Sequence, residues 1–314
     1  MHRSDISSNL KILALVLPVL AVVLVSGCTG TGGGVSTGNG IVIEEFKPSL
    51  SEINSGQPIT LLLKIENRGE GDAEDVEATI FGINTDEWDV YDEEKDLGDM
   101  LGVDSYTSTP GATKQAQWNA EAPQLPQQLY HTYAPMVRVS YDYSTTSHKP
   151  ITIVDRDELV SLLQSGESLP HGSTTYTAGP LSVAVTATDY TVSPDESGID
   201  PFNLNIIITN LWWGSNGRVV HDSFGDSDDA YPLEMKITLP DELDFTSAGS
   251  EQPGCSESWD DISLWDGHTG EITCELEIDD EPEIRTEGLI RVDLRYRFAV
   301  DSSTTVKVTG TSAV

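Results

Sequence analysis

The residues of this chain with types and spacing suited to chemistry are carboxylates, tryptophans and cysteines. Asp222, Asp226, Asp228 and Asp229 fall within one eight-residue stretch, Asp222-Ser223-Phe224-Gly225-Asp226-Ser227-Asp228-Asp229. Calcium takes roughly six to eight oxygen ligands, and closely spaced carboxylates on a loop supply them. The stretch lacks the order and closing glutamate of an EF-hand, so a solvated loop explains it as well. A second acidic run, Asp86 to Asp104, gathers Asp86, Glu87, Asp89, Asp92, Glu93, Glu94, Asp96, Asp99 and Asp104 around a single basic residue, Lys95. It offers the same two readings. A pair of carboxylates also serves glycoside hydrolysis, but among so many acids a pair carries no information. The histidines, at 2, 131, 148, 171, 221 and 268, form no HxH or HExxH arrangement, and no GxSxG, Walker loop or GxGxxG is present. The chain is therefore expected to be no enzyme, and to need no cofactor beyond that candidate calcium.

Four tryptophans are better placed for binding. Trp212 and Trp213 precede Gly214-Ser215-Asn216-Gly217, and Trp259 and Trp265 lie between Cys255 and Cys274. Aromatic side chains on loops hold sugar rings or protein partners. They also cap the ends of cores, which is the competing reading. Cys255 and Cys274 are 19 residues apart, with no CxxC or CxxH neighbour to suggest zinc. In an exported chain they are expected to form one disulfide, the alternative being two independent buried thiols.

Charge narrows the partners. The 314 residues carry 17 basic and 52 acidic side chains, a net charge of −35. Nucleic acid is excluded as a partner because nothing here can neutralise phosphates along a stripe. Attraction to an anionic lipid surface is disfavoured for the same reason. Strong acidity suits a solvated carboxylate surface in high salt, where screening removes self-repulsion. The composition resembles that of proteins from salt-loving archaea.

The N-terminus addresses the chain to a membrane. Arg3 and Lys11 flank a polar start, and Ile12 to Val25 is an unbroken apolar run of fourteen residues. That is the length of a signal-peptide core and is short for a membrane-spanning helix. The run ends Leu24-Val25-Ser26-Gly27-Cys28, which resembles the lipobox of lipoprotein signal peptides. The resemblance implies a lipid on the Cys28 sulfur and removal of residues 1–27. An uncleaved anchor is the other reading, and both place the body outside. Residues 28–40 then form a flexible Gly/Thr/Ser tether reaching ~20 Å on average as a coil.

The remaining chain alternates like strands. Ile41-Val42-Ile43 opens the first, and Ile59 to Asn67 sets Leu61, Leu63 and Ile65 on one face with Lys64 and Glu66 on the other. Glu74 to Ile83, Pro135 to Tyr143 and Ile151 to Val154 follow. Asp155 to Ser165 reads as a short helix capped by Asp155, with Leu159, Leu162 and Leu163 as an apolar stripe and Gly166 as its stop. A second set begins at Leu181: Val183 to Tyr190, Phe202 to Asn210, Leu233 to Leu239, Glu271 to Ile278, Gly288 to Phe298 and Thr304 to Val308. Phe46 to Asn67 spans 21 residues and Tyr190 to Asn210 spans 20, which suggests a repeated unit.

The fold expected is all-β: two immunoglobulin-like antiparallel β-sandwich domains, 41–154 and 180–314, joined by a helix and linker over 155–179. Ile41-Val42-Ile43, Gly56-Gln57-Pro58, Leu61 to Asn67, Gly69, Gly71 and Ala73 to Val76 resemble the CARDB type of surface-layer and adhesion module. That resemblance implies a scaffold or adhesive spacer. The chain is thus expected to be a non-catalytic lipoprotein on the outer face of the cytoplasmic membrane, a structural or adhesive element of the cell envelope meeting envelope or appendage proteins. The alternative is an extracellular binding module for a glycan, cation or protein, using Trp212, Trp213, Trp259 and Trp265.

Overall fold

A computed structural model describes residues 40–167, 172–187, 191–192, 201–221, 231–279 and 284–311. Residues 1–39, which include Cys28 and all of the expected leader and tether except Gly40, lie outside the described residues, and so does the stretch with Asp222, Asp226, Asp228 and Asp229.

The strands in chain order are β1 (Ile41–Pro48), β2 (Glu52–Asn54), β3 (Pro58–Asn67), β4 (Glu74–Phe81), β5 (Glu94–Asp96), β6 (Thr113–Glu121), β7 (Tyr130–Tyr133) and β8 (Met136–Val154). Helix α1 (Arg156–Ser165) follows. Then come β9 (Thr175–Tyr176), β10 (Leu181–Ala187), β11 (Thr191–Val192), β12 (Phe202–Asn210), β13 (Gly217–Val220) and β14 (Pro232–Thr238). The last are β15 (Leu243–Phe245), β16 (Asp260–Ser263), β17 (Thr269–Ile278), β18 (Arg285–Ser303) and β19 (Val306–Thr309). The chain is all-β apart from one short helix among the described residues.

Two small sheets, β1-β3-β6 and β10-β12-β17-β15, cover a long sheet whose main path is β16-β14-β18-β8-β4-β5. A third small sheet orders β2-β19-β7. Period-two burial builds the sandwiches. Ile59, Leu61, Leu63 and Ile65 of β3 share one core with Val76, Ala78 and Ile80 of β4 and Val137 and Val139 of β8. Leu204, Ile206 and Ile208 of β12 do the same with Met235, Ile237, Val292 and Leu294. Each such Val, Leu, Ile or Met side chain contributes about 1.5–3 kcal/mol on burial.

Two strands expected separately run together. Pro135–Tyr143 and Ile151–Val154 are one continuous 19-residue strand, β8. It pairs antiparallel with β18 over all 19 residues, from Met136 against Ser303 to Val154 against Arg285. The N-terminal half of β8 completes the first sandwich and its C-terminal half the second. Strand β19, near the C-terminus, joins β2 and β7 of the first half. No cut at 154 or 180 separates the sheets. Midway along β8, Thr145 and Ser147 are buried and bonded, Thr145 Oγ1 to Tyr296 Oη at 2.8 Å and Ser147 Oγ to the Val183 carbonyl at 3.2 Å.

The two halves repeat one local design. Ile41 pairs with Asn67 and Leu181 with Asn210. The Ile41 N–H donates to Tyr141 Oη at 3.1 Å, and the Leu181 backbone hydrogen-bonds to Tyr296 Oη. Tyr141 and Tyr296 flank the Asp142–Arg297 pair equivalently, each one residue before it on its own strand. The ladder therefore has a pseudo-twofold axis at that pair. Tyr141, Tyr143, Tyr296 and Phe298 join the two cores there, with ring centroids 6.0–6.4 Å apart. Burial pushes the Tyr141, Tyr143 and Tyr296 phenols well up from their usual range.

Helix α1 has the expected cap: Asp155 Oδ1 accepts the Asp157 and Glu158 amides, and Gly166 closes it in the left-handed region at φ 75°. Its leucine stripe is not a docking face. None of its residues is buried, and Leu163 is 64% exposed.

Candidate functional site

The side chains that matter most for placing a site are two buried asparagines. At the end of β12, Asn210 Nδ2 donates to the carbonyls of Gly217 (3.3 Å) and Gly267 (3.0 Å), and its Oδ1 accepts the Trp212 amide (2.9 Å). Its own N–H donates to the His268 carbonyl at 2.8 Å. One side chain thus fixes both tryptophan-bearing turns, 211–216 and 265–268. At the end of β3, Asn67 repeats the pattern. Its Nδ2 donates to Gly71 (2.9 Å) and Met100 (3.0 Å), and its Oδ1 accepts the Gly69 amide (3.0 Å). Its N–H donates to Ala112 at 2.9 Å. Here the anchored loops are 68–72 and 100–112.

The four tryptophans separate into three environments. Trp213 and Trp265 share the Asn210-anchored turns, 52% and 81% exposed. Trp213 stacks on His268 with ring centroids 4.4 Å apart and planes 30° apart. Trp212 is half-buried against the core, beside Gly217, where a Cβ would come within 2.7 Å of the tryptophan Cβ. Trp259 lies beneath the Arg295 guanidinium, 3.9 Å from the ring centroid to Cζ. The core-capping reading thus holds for Trp212, whereas Trp213 and Trp265 face outward. Two tryptophans unremarked in sequence are structural: Trp118 donates to the Glu93 carbonyl at 3.0 Å, and Trp88 is buried edge-on against Tyr133.

The acidic 86–104 segment is fastened to the first sandwich by buried Trp88, Val90 and Met100. Its carboxylates cap turns. Asp104 accepts the amides of Tyr106 and Thr107 and the Thr107 hydroxyl, at 2.9, 3.2 and 2.7 Å. The Thr107 hydroxyl above all, then those amides, holds the Asp104 carboxyl below its usual range. Asp96 accepts the Gly98 amide and Asp99 the Asp75 amide. Among the described residues, no three His, Cys, Asp or Glu side chains converge as a metal site requires.

On the outer face of the long sheet a polar cleft of about 770 Å³ opens at the pseudo-twofold axis. Asp142, Arg297, Glu234 and Arg295 line it. Arg297 is committed to Asp142 at 2.9 Å and Glu77 at 2.5 Å. Beyond it Asp301 is held by both Arg138 (2.7 Å) and Arg218 (3.0 Å). These ion pairs tie β4, β8, β13 and β18 side by side. Cys255 and Cys274 are bridged, joining the loop after β15 to β17 within the second core.

No family model and no curated protein matches the chain. Among solved structures, a secreted serine protease, VesC from Vibrio cholerae, aligns over 86% of this chain and 52% of its own, at 11% identity and TM-score 0.21. This chain thus spans about half of that protein. The MSCRAMM ACE of Enterococcus faecalis, which binds its ligands by the collagen Hug model, aligns over 86% and 95% of the two chains, at 7% identity and TM-score 0.11. The collagen adhesin CNA of S. aureus aligns over 88% and 94%, at 9% identity and TM-score 0.11. Overlaps this loose carry no argument about activity or ligand.

Proposed function

We propose that this protein is a non-catalytic lipoprotein of the cell envelope, held at the outer face of the cytoplasmic membrane through Cys28 and acting as a structural or adhesive element. The observation that carries the reading is the 19-pair β8–β18 ladder. It makes two sandwiches into one body with a continuous core, so a load or contact at either half is transmitted through backbone hydrogen bonds rather than through a linker. The lipobox supplies the attachment, and the CARDB resemblance of segment 41–83 agrees with a spacer or adhesive role. Chemical crosslinking of intact cells followed by mass spectrometry tests it. Abundant crosslinks to a repeating envelope or appendage subunit, or to a second copy, are expected. A single dominant soluble partner would refute it.

A second reading, an extracellular module that binds a glycan, cation or protein, is favoured by one observation: Trp213 and Trp265 are exposed on turns that Asn210 holds rigid. Loss of a soluble ligand on Trp213→Ala, with folding unchanged, would support it over the spacer.

A further inference from the structure

Loops from both halves carry large exposed apolar side chains and are linked through the backbone between them. Leu101 and Tyr106 stand on the loop anchored by Asn67, and Leu211, Trp213 and Trp265 on the turns anchored by Asn210. Backbone hydrogen bonds join these loops through the chain that crosses between them. Val103 N–H donates to Gly69 (2.7 Å), Glu70 N–H to Ala178 (2.8 Å) and Leu211 N–H to Pro180 (3.0 Å). Gly40 sits in the middle. Its carbonyl accepts the Arg68 amide at 2.7 Å, and a Cβ on it would lie 3.0 Å from Pro180 Cδ. The segment bearing Cys28 therefore meets the body among these aromatic loops. Cys28 and Gly40 are twelve positions apart, a reach of at most roughly 40 Å.

We infer that this loop surface docks on the lipid bilayer, an inference that rests on the lipid anchor proposed above. Tryptophan and tyrosine favour the membrane–water interface because their rings have an apolar body and a polar edge. A short tether raises the effective concentration of bilayer at the loops, so shallow insertion suffices where free association would not. The turns are already fixed by hydrogen bonds, which lowers the ordering cost of docking. Charge selects the lipid: Glu70, Asp72, Asp104 and Asp266 surround the apolar side chains, so zwitterionic or neutral headgroups fit and anionic ones are repelled, most strongly in low salt. A glycan or a protein could stack on the same rings, but only a bilayer is tied to the point where the chain enters.

The test uses the full chain reconstituted in phosphatidylcholine vesicles carrying a brominated lipid that quenches tryptophan on contact. Quenching of the wild-type protein is expected, together with protection from aqueous acrylamide. The Trp213→Ala/Trp265→Ala variant should lose most of the lipid quenching, whereas Trp259→Ala, altered beneath Arg295, should keep it. Undiminished quenching in the double variant, or full access of acrylamide to the wild-type tryptophans, overturns the inference. So does protection conferred by a soluble polysaccharide and not by lipid. The mass of the Cys28 peptide reports the anchor separately. A lipidated Cys28 without quenching removes the docking surface alone, and quenching without lipidation removes the anchor and leaves the surface standing.

Discussion

Replacing Asn67 by alanine tests the loop anchors most directly. Asn67 is fully buried, and alanine strands two partners at once, the Gly71 carbonyl and the Gly69 amide, and removes one of the two donors to the Met100 carbonyl, which keeps the Ala73 amide at 2.9 Å. A buried group left without a partner costs about 1–3 kcal/mol. Solvent that enters the vacated volume recovers part of this, since turn 68–72 lies near the surface. The expected loss is about 2–4 kcal/mol. Asn210→Ala strands three groups, the Gly217 and Gly267 carbonyls and the Trp212 amide, and should cost at least as much. Urea unfolding followed by tryptophan fluorescence measures both, with the change in midpoint converted at constant m-value. A loss below about 1 kcal/mol in either variant would refute the claim that these side chains hold the loops. A large loss in one half and none in the other would refute the equivalence of the two anchors. Asn67→Asp separates acceptor from donor. The carboxylate can still accept the Gly69 amide but faces two carbonyl oxygens, so at neutral pH it should recover nothing over alanine.

Removing the Cys255–Cys274 bridge by Cys255→Ser/Cys274→Ser should cost about 3 kcal/mol, the chain entropy of a loop of that length; unreduced mass and urea unfolding check it, and an unchanged midpoint would refute it. The buried phenols predict alkaline instability. Tyr141, Tyr143 and Tyr296 have folded pKa values above the unfolded value of 10, because burial penalises their anions. The stabilisation is complete below pH ~10 and is lost as pH rises from there towards the folded values, since the unfolded chain releases the protons first. Three such groups give a slope of about −4 kcal/mol per pH unit in that window. Tyrosinate absorbance should show three of the ten tyrosines silent until the fold breaks, and a fully reversible titration of all ten in the folded state would contradict this. Cys28→Ser should release the protein from the membrane fraction into the medium, and retention would remove the lipid anchor. Ala at Gly40 should destabilise, because its Cβ would fall 2.6 Å from Tyr141 Oη at a φ of 59°; a thermal melt matching the wild type would refute that.

The strands with bulky alternation were legible in sequence. Ile59 to Asn67, Glu74 to Ile83 and Phe202 to Asn210 match β3, β4 and β12 to within two residues, because Leu, Ile and Val recur at period two. Strand β6 was not, because its inward face is Ala116, Trp118 and Ala120, and small residues among glutamines give little hydrophobic contrast. The fusion of two short strands into β8 was hidden for a different reason. Its middle turns Thr145 and Ser147 inward, and their burial depends on acceptors and partners supplied by Tyr296, Thr175 and Val183, more than 25 residues away. A linear pattern cannot register a polar residue made acceptable by a distant partner.

The same logic explains how much of the candidate site could be read. Tryptophan type and loop context marked Trp212, Trp213, Trp259 and Trp265 alike, since all four have turn-forming neighbours. What divides them is tertiary. Arg295, from a strand 36 residues later, covers Trp259, while Gly217 lets Trp212 pack inward and Trp213 is left facing out. The asparagines were visible only as a spacing, the last residues of two similar strands. Their meaning comes from a geometric constraint that a strand end imposes. Where a central strand stops, the loops on either side lose their ladder partners, and a buried backbone group without a partner is costly. One amide side chain with two donors and an acceptor replaces three of those partners at once. A repeat that keeps an asparagine at each such end therefore keeps both loop pairs in a fixed relation to Gly40, whatever residues the loops display, and the exposed rings can differ between halves, tyrosine in one and tryptophan in the other, without disturbing the frame that presents them.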